Sequence, residues 1–334
     1  MYKIVFLKNE RNDATDYYVQ LIKKSLESNG GEVCIVQSIK DINKDDKVLT
    51  ISLKAFVYTW LKNPKQFIFH WFQGVSPEEA MLIYSSKISK YFRWIYLSYF
   101  EKFVLNKSKF NFFVSESMRK HYEKKYNYNK LNFIAMPCYN QAINKEAFSD
   151  EKYKIASFVY AGSLSKWQCI NETLQIFKQI EEKNSSAVMY LYTNEKNEAF
   201  KLIDKYKIKN IHVDYVPYEQ LNDHLKKIKY GFLLREDNII NRVSTPTKMN
   251  GYLANGIVPI LSNVIDDFNE NLVGDYLITS DKSNELIDKI LGFEKKEISA
   301  KAVYNEYQSF FEKYYSDSHY LVELSQKLKE FKVV

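Results

Sequence analysis

Apolar, β-branched and aromatic residues fall into short runs separated by longer stretches in which apolar positions recur every three or four residues. That alternation is expected of parallel strands joined by covering helices. Strands are predicted at residues 3–7, 33–36, 48–52, 67–70, 111–114 and 132–135, with helices in the gaps. The alternation restarts at 155–161 and continues through 187–192, 211–215, 230–234 and 258–261. Two βα series in tandem predict an α/β protein of two Rossmann-like domains. Open parallel sheets bind ligands beyond the carboxyl ends of their strands, so the residues just after each strand carry the functional interest.

Residues 136–154, MPCYNQAINKEAFSDEKYK, hold a proline, several turn formers and no sustained period, which places a domain boundary near residue 150. The expected division is 1–150, 151–303 and a pair of C-terminal helices over 304–334. The tail, VYNEYQSFFEKYYSDSHYLVELSQKLKEF, reads as two helices broken near Ser316 and Asp317, with Ser316 as N-cap of the second.

With 334 residues, 46% of them hydrophobic, the chain can bury two cores. No run approaches the ~20 apolar residues of a membrane span, and the start, MYKIVFLKNE, lacks the basic segment and cleavage site of a secretory signal. A cytoplasmic protein is expected. Cys34, Cys138 and Cys169 are widely spaced, without a CxxC or CxxH partner, and read as reduced core thiols. The net charge of +7 favours an anionic partner, but the lysines are spread along the whole chain and form no stripe. Without a Cys/His finger, an RNP-like run or a basic heptad region, nucleic acid ranks below a small anionic ligand.

The most informative stretch is residues 230–261, YGFLLREDNIINRVSTPTKMNGYLANGIVPIL, which reads as strand, loop, helix, strand. Thr245 is the expected N-cap, Pro246 the first helical residue, and Thr247 and Lys248 follow in the first turn, with Gly256 as the C-terminal left-handed residue. A lysine at this end opposes the helix dipole by roughly 0.3–1 kcal/mol when exposed, a cost that an anion relieves. Arg235, just past the strand at 230–234, adds a second cation able to grip phosphate through parallel hydrogen bonds. A diphosphate fits these donors. In the bland alternative, Thr-Pro is an ordinary helix start and both cations are solvated. A second loop follows the strand at 157–161, where Gly162 permits a tight turn before Ser163 and Lys166. A lysine in such a loop is more often merely solvated.

At these residues the chain resembles the donor domain of the GT-B glycosyltransferases, especially the retaining family 4 group that includes bacterial capsule and lipopolysaccharide enzymes. STPTKMNGYLANGIVPI carries the main likeness and FVYAGSLSKW a second, while FIFHWFQGVSPEEA and FEKFVLNKSKFNFFVSESMRKHY resemble acceptor-domain stretches more weakly. The resemblance implies two facing Rossmann-like domains, with C-terminal helices crossing back to the first. It also implies a hexosyltransferase-type enzyme that moves a sugar from a nucleotide-sugar donor, UDP- or GDP-linked rather than CMP-linked, to a glycan or lipid-linked acceptor in cell-surface polysaccharide synthesis. Retention, no metal and no cofactor follow from the same likeness.

By the same likeness Lys166 and Arg235 neutralise the leaving diphosphate, helped by Gly162, Ser163 and residues 245–248, while His70 lies near the sugar and Gln73, Gly74 and Glu78 contact acceptor or donor. His70 beside aromatics is equally read as structural. One departure stands out: the family often has a glutamate eight residues after another, the later one on the ribose, and here those positions are Val243 and Gly251. Glu236, Asn241 or backbone groups near Val216 and Tyr218 are the candidates to replace it.

Residues 81–105, MLIYSSKISKYFRWIYLSYFEKFVL, mix aromatics with Lys and Arg at helical spacing, as in an interfacial helix touching the anionic inner leaflet of the plasma membrane. A helix packed on its own sheet is the competing reading. Three functions are open at this stage: the glycosyltransferase, a sugar-nucleotide epimerase of the same architecture, and a degenerate protein that binds a nucleotide or a partner without catalysis.

Overall fold

The structure is a computed structural model. It describes residues 1–8, 10, 13–84 and 86–334, and the side chains of Asp13, Ala14, Lys87 and Lys166 are not among the groups described. The chain forms two compact units.

The first unit holds residues 1–139, 242–245 and 316–334. Its elements are β1 (Tyr2–Val5), α1 (Asp13–Ser28), β2 (Val33–Val36), β3 (Lys47–Thr50), α2 (Leu53–Lys62) and β4 (Phe67–Phe72). They continue with α3 (Ser76–Ile83), α4 (Lys87–Lys107), β5 (Asn111–Phe113), α5 (Glu116–Tyr126) and β6 (Phe133–Ala135). The six strands are all parallel, in the order β2-β1-β3-β4-β5-β6. Ile4, Val48, Leu49, Phe69 and Phe112 are fully buried, as expected of strands covered on both faces. Side-chain caps fix several helix starts: Ser52 accepts from Ala55 N and Ser115 from Met118 N.

The second unit holds residues 140–241 and 246–315. It runs α6 (Asp150–Tyr153), β7 (Ser157–Ala161), α7 (Ile170–Lys183), β8 (Val188–Tyr192), α8 (Lys196–Tyr206), β9 (Ile211–Asp214) and α9 (Tyr218–Leu225). Then come β10 (Tyr230–Leu233), α10 (Ile239–Arg242), α11 (Thr247–Ala254), β11 (Val258–Leu261), α12 (Asp266–Asn271), β12 (Ile278–Thr279), α13 (Ser283–Phe293) and α14 (Ala300–Lys313). Its parallel sheet has the order β12-β11-β10-β7-β8-β9. Gly231, in the middle of β10, lets α11 approach closely: a Cβ there would stand 2.6 Å from the Tyr252 ring, whose hydroxyl donates to Phe232 O at 3.1 Å.

Two expectations about domain organisation are corrected. The boundary lies at 139/140 rather than near 150, because the intervening segment is tied into the second unit. Asn140 N and Gln141 N both donate to Asn250 Oδ1 at 3.1 Å, and Asn144 N donates to Ala254 O. The terminal helices also part company instead of packing together on the first unit. Tyr307 on α14 donates to Ile257 O and Tyr276 O, anchoring that helix in the second unit. The last helix, α15 (Asp317–Glu330), belongs to the first unit, where Tyr17 donates to the Asp317 carboxylate and Tyr2 to Val333 O.

Candidate functional site

In the second unit, β7 ends at Ala161 and Gly162 turns the chain with φ +147°, a region that L side chains rarely adopt. A Cβ at Gly162 would meet Lys248 Nζ at 3.2 Å, so the lysine is seated directly against the turn. The loop is fixed from the other side by Glu195, whose Oε1 accepts from Leu164 N at 2.8 Å. It continues into a single 3-10 turn, Lys166–Gln168, before α7.

Lys248 lies in the first turn of α11, whose start carries no side-chain cap, with Met249 N donating to Pro246 O at 3.1 Å. Part of the lysine stem is accessible, but Nζ is enclosed, 4.1 Å above the Tyr160 ring and 3.4 Å from Gln168 Oε1. Arg235, two residues beyond β10, is buried, and its Nη1 donates to the same Gln168 Oε1 at 2.6 Å and to Leu234 O at 3.1 Å. Its backbone is clamped by Ser262, which accepts from Arg235 N at 2.9 Å and donates to Arg235 O.

Two cations thus share one neutral amide oxygen. Among the described residues no carboxylate is ion-paired with either. Desolvation, and after it the Arg235 charge, pushes the Lys248 ammonium well below its usual range, and desolvation also lowers Arg235. Two like charges brought to one acceptor repel each other. An anion bound between them reverses that sign.

The remaining donor-site candidates lie as follows. Ser163 follows Gly162, and its carbonyl accepts from Tyr160 Oη. Lys166 sits in the 3-10 turn with its side chain outside the described groups. Pro246 is the N-cap and Thr247 the first residue of α11, one position later than expected. The N-cap reading of Thr245 is corrected. It belongs to the first unit, where its hydroxyl accepts from Cys138 N and donates to Val114 O, both at 3.0 Å, and it does not cap the helix. Asn241 uses its amide to hold its own loop, donating to Glu236 O at 2.9 Å. Glu236 is partly exposed beside Arg235. Val216 and Tyr218 follow β9, the edge strand two places from β7. At Gly251 the space that a side chain would take is approached by Gln141 Nε2, 3.1 Å from a Cβ built there.

In the first unit, a cavity of about 420 Å³ opens at the carboxyl ends of β3 and β4, lined by Ser52, His70, Gln73, Gly74, Glu79 and Leu97 among others. His70 is buried edge-on between Phe56 and Phe72, with Nδ1 2.8 Å from Thr50 Oγ1. Burial pushes its pKa down to about 3, so it is neutral at physiological pH. Gln73 donates to Ile51 O at 3.3 Å. Glu78 does not line the cavity; it pairs with Lys125 at 2.7 Å. Its neighbour Glu79 does line it, with a carboxyl raised by burial. Glu79 and Gln168 had no distinguishing signal in the sequence.

No group of three or more His, Cys, Asp or Glu side chains suited to a metal occurs among the described residues, and none of their helices is long and apolar enough to cross a membrane.

The fold is that of the GT-B glycosyltransferases: an α/β architecture of two six-stranded parallel sheets with flanking helices. The chain is similar to WaaG, a glycosyltransferase involved in lipopolysaccharide biosynthesis, with a TM-score of 0.66 and 10% identity over 97% of this chain and 100% of that one. It is similar also to a glycosyltransferase from Rickettsia africae, with a TM-score of 0.64 and 13% identity over 99% and 97% of the two chains. A third similar structure is an S. aureus TarM variant in complex with fondaparinux, α-GlcNAc-glycerol and UDP, with a TM-score of 0.62 and 12% identity over 86% of this chain. This chain spans 55% of the length of TarM. No family model and no curated protein matches the sequence.

Proposed function

We propose that the chain is a glycosyltransferase of family 4 type that uses a nucleotide-sugar donor, UDP- or GDP-linked, and that its second unit holds the donor diphosphate. One observation carries the reading: Arg235 and Lys248, both desolvated at the carboxyl ends of β10 and β7, share a single neutral acceptor, Gln168. Breaking the bond between the anomeric carbon and the β-phosphate oxygen places growing negative charge on the leaving group. Fixed cations aimed at that charge cost no reorganisation when it develops. The amides of Thr247 and Lys248, at the uncapped start of α11, add donors at the same end. The charge is met by side chains and backbone, so transfer proceeds without a metal.

TarM and the pneumococcal O-GlcNAc transferase GtfA have structures in complex with UDP, in line with this donor class. The acceptor is a glycan or lipid-linked saccharide of cell-surface polysaccharide synthesis, such as capsule or lipopolysaccharide, and a hexosyl group is passed on with retention.

The test is a thermal-shift screen against UDP, GDP, CMP and ADP in EDTA, with Arg235→Ala and Lys248→Ala run beside the parent. UDP or GDP should raise the Tm of the parent and leave both variants unmoved. A parent that responds to none of the four, or variants that respond as it does, would overturn the reading. Product analysis with the responsive sugar nucleotide then separates transfer from epimerisation.

A further inference from the structure

A helix on a globular unit buries one stripe and offers the opposite, polar one to water. Helix α4 does not follow that pattern. Its inner residues pack normally: Phe103 meets the Trp60 ring edge-on at 5.0 Å, and Val104 is fully buried. Its outer stripe, Ile88, Tyr91, Phe92, Ile95 and Tyr99, is apolar too, and each of these residues is between 55% and 73% exposed. Residues 91–96 are exposed in succession, so the helix stands out from the unit on several sides. Leu82 and Ile83, at the end of α3, extend the exposed surface.

The charges around this surface have one sign. Residues 81–107 contain five basic side chains and a single carboxylate, Glu101. Glu101 is buried on the inner side, held by Lys125 at 2.9 Å and by the Tyr126 hydroxyl at 2.8 Å, and presents nothing to the outside. Arg93 lies over the Tyr84 ring at 4.2 Å, its charge at the rim of the apolar stripe. Helix α2, which packs beside α4, adds exposed Tyr58 and Leu61 with Lys54 and Lys62, and it has no acidic residue. Aliphatic and tyrosine side chains with basic neighbours, the partly buried Glu78 of α3 being paired with Lys125 and Glu79 lining the cavity, complement an interface of hydrocarbon topped by negative headgroups. Leu97, on the other side of the same helix, lines the cavity that also contains His70, Gln73 and Glu79.

We propose that α4, with the end of α3, is a docking surface for an anionic lipid bilayer.

Sedimentation with vesicles tests it, using phosphatidylcholine alone and with about 30% phosphatidylglycerol, at about 50 mM and 500 mM salt. The full chain should sediment with the anionic vesicles at low salt and much less at high salt or with the neutral lipid. The triple variant Phe92→Ser, Ile95→Ser, Tyr99→Ser should lose about tenfold or more of that partition at both salts, and Arg93→Glu with Lys90→Glu should lose it at low salt. All three residues of the triple variant are exposed, so its Tm and its response to UDP or GDP should match the parent. A parent that stays in the supernatant with anionic vesicles at low salt, or a triple variant that sediments as the parent does, overturns the proposal. So does a parent that is dimeric by sedimentation velocity, becomes monomeric in the triple variant and ignores vesicles; the face then belongs to a second copy. Loss of the nucleotide response with vesicle binding intact removes the donor reading and leaves the docking surface standing.

Discussion

At the amino end of β10, Lys229 is buried and paired with Glu294, which also accepts from the Tyr230 hydroxyl. At the carboxyl end, Arg235 is buried with Lys248 beside it, and the two are given one amide oxygen. One end of the strand thus carries a neutralised cation, and the other faces two cations, Arg235 in the loop after it and Lys248 on α11, that are ion-paired with no carboxylate among the described residues. A buried charge with its partner present is architecture: its removal upsets the fold. Buried charge without a partner is a standing cost, which persists where an anionic ligand offsets it.

The sharpest way to break this comparison is at the carboxyl end. Arg235→Ala or Lys248→Ala should lower kcat by about 10²–10³-fold without lowering the Tm, because each removes repulsion along with function. A variant that unfolds earlier while turning over normally would make these residues architectural like Lys229. At the opposite end, Glu294→Gln leaves Lys229 uncompensated and should cost about 3 kcal/mol in urea unfolding while preserving the nucleotide response.

His70 shows the third way to bury such a group, by leaving it neutral. Its folded pKa of about 3 lies below the unfolded value of 6.5, so the unfolded chain binds more protons between them. Stability is full above pH 6.5 and is lost as pH falls, by about 2 kcal/mol from pH 6.5 to 5, with a flatter profile in His70→Gln. Lys248 gives a smaller effect of related origin. Its pKa is depressed in the free protein and raised by a bound anion, so nucleotide affinity should fall as the pH rises through the free-state value. Nucleotide titrations across a pH series would read this. Smallest of all, Gly162→Ala forces a left-handed φ on a side chain and crowds Lys248 Nζ, and should weaken nucleotide binding by about tenfold.

Strand runs were legible because a parallel sheet buries both faces of each strand and so writes continuous apolar stretches. The miss was β12, only two residues long, Ile278–Thr279, too short to leave a run. The unit boundary was misplaced because composition marks where the chain turns, whereas the buried Asn250 side chain decides which sheet the segment joins. The convergence of Lys248 and Arg235 was readable from a helix start and a strand end. Thr245 was misread since Ser-Thr-Pro gives no sign of which backbone its hydroxyl serves. Gln168 was invisible for the same reason: a neutral amide in a loop acquires meaning only when two cations converge on it.

The uncompensated pair also bears on turnover. A sugar nucleotide carries its diphosphate as a diester, whereas the nucleoside diphosphate left after transfer has a free terminal phosphate and more negative charge. On the proposed reading, a pocket in which Arg235 and Lys248 share one neutral amide oxygen holds the spent leaving group more tightly than the donor. Inhibition by the released nucleoside diphosphate is then expected, with its departure rather than the transfer as the slow step under saturating donor.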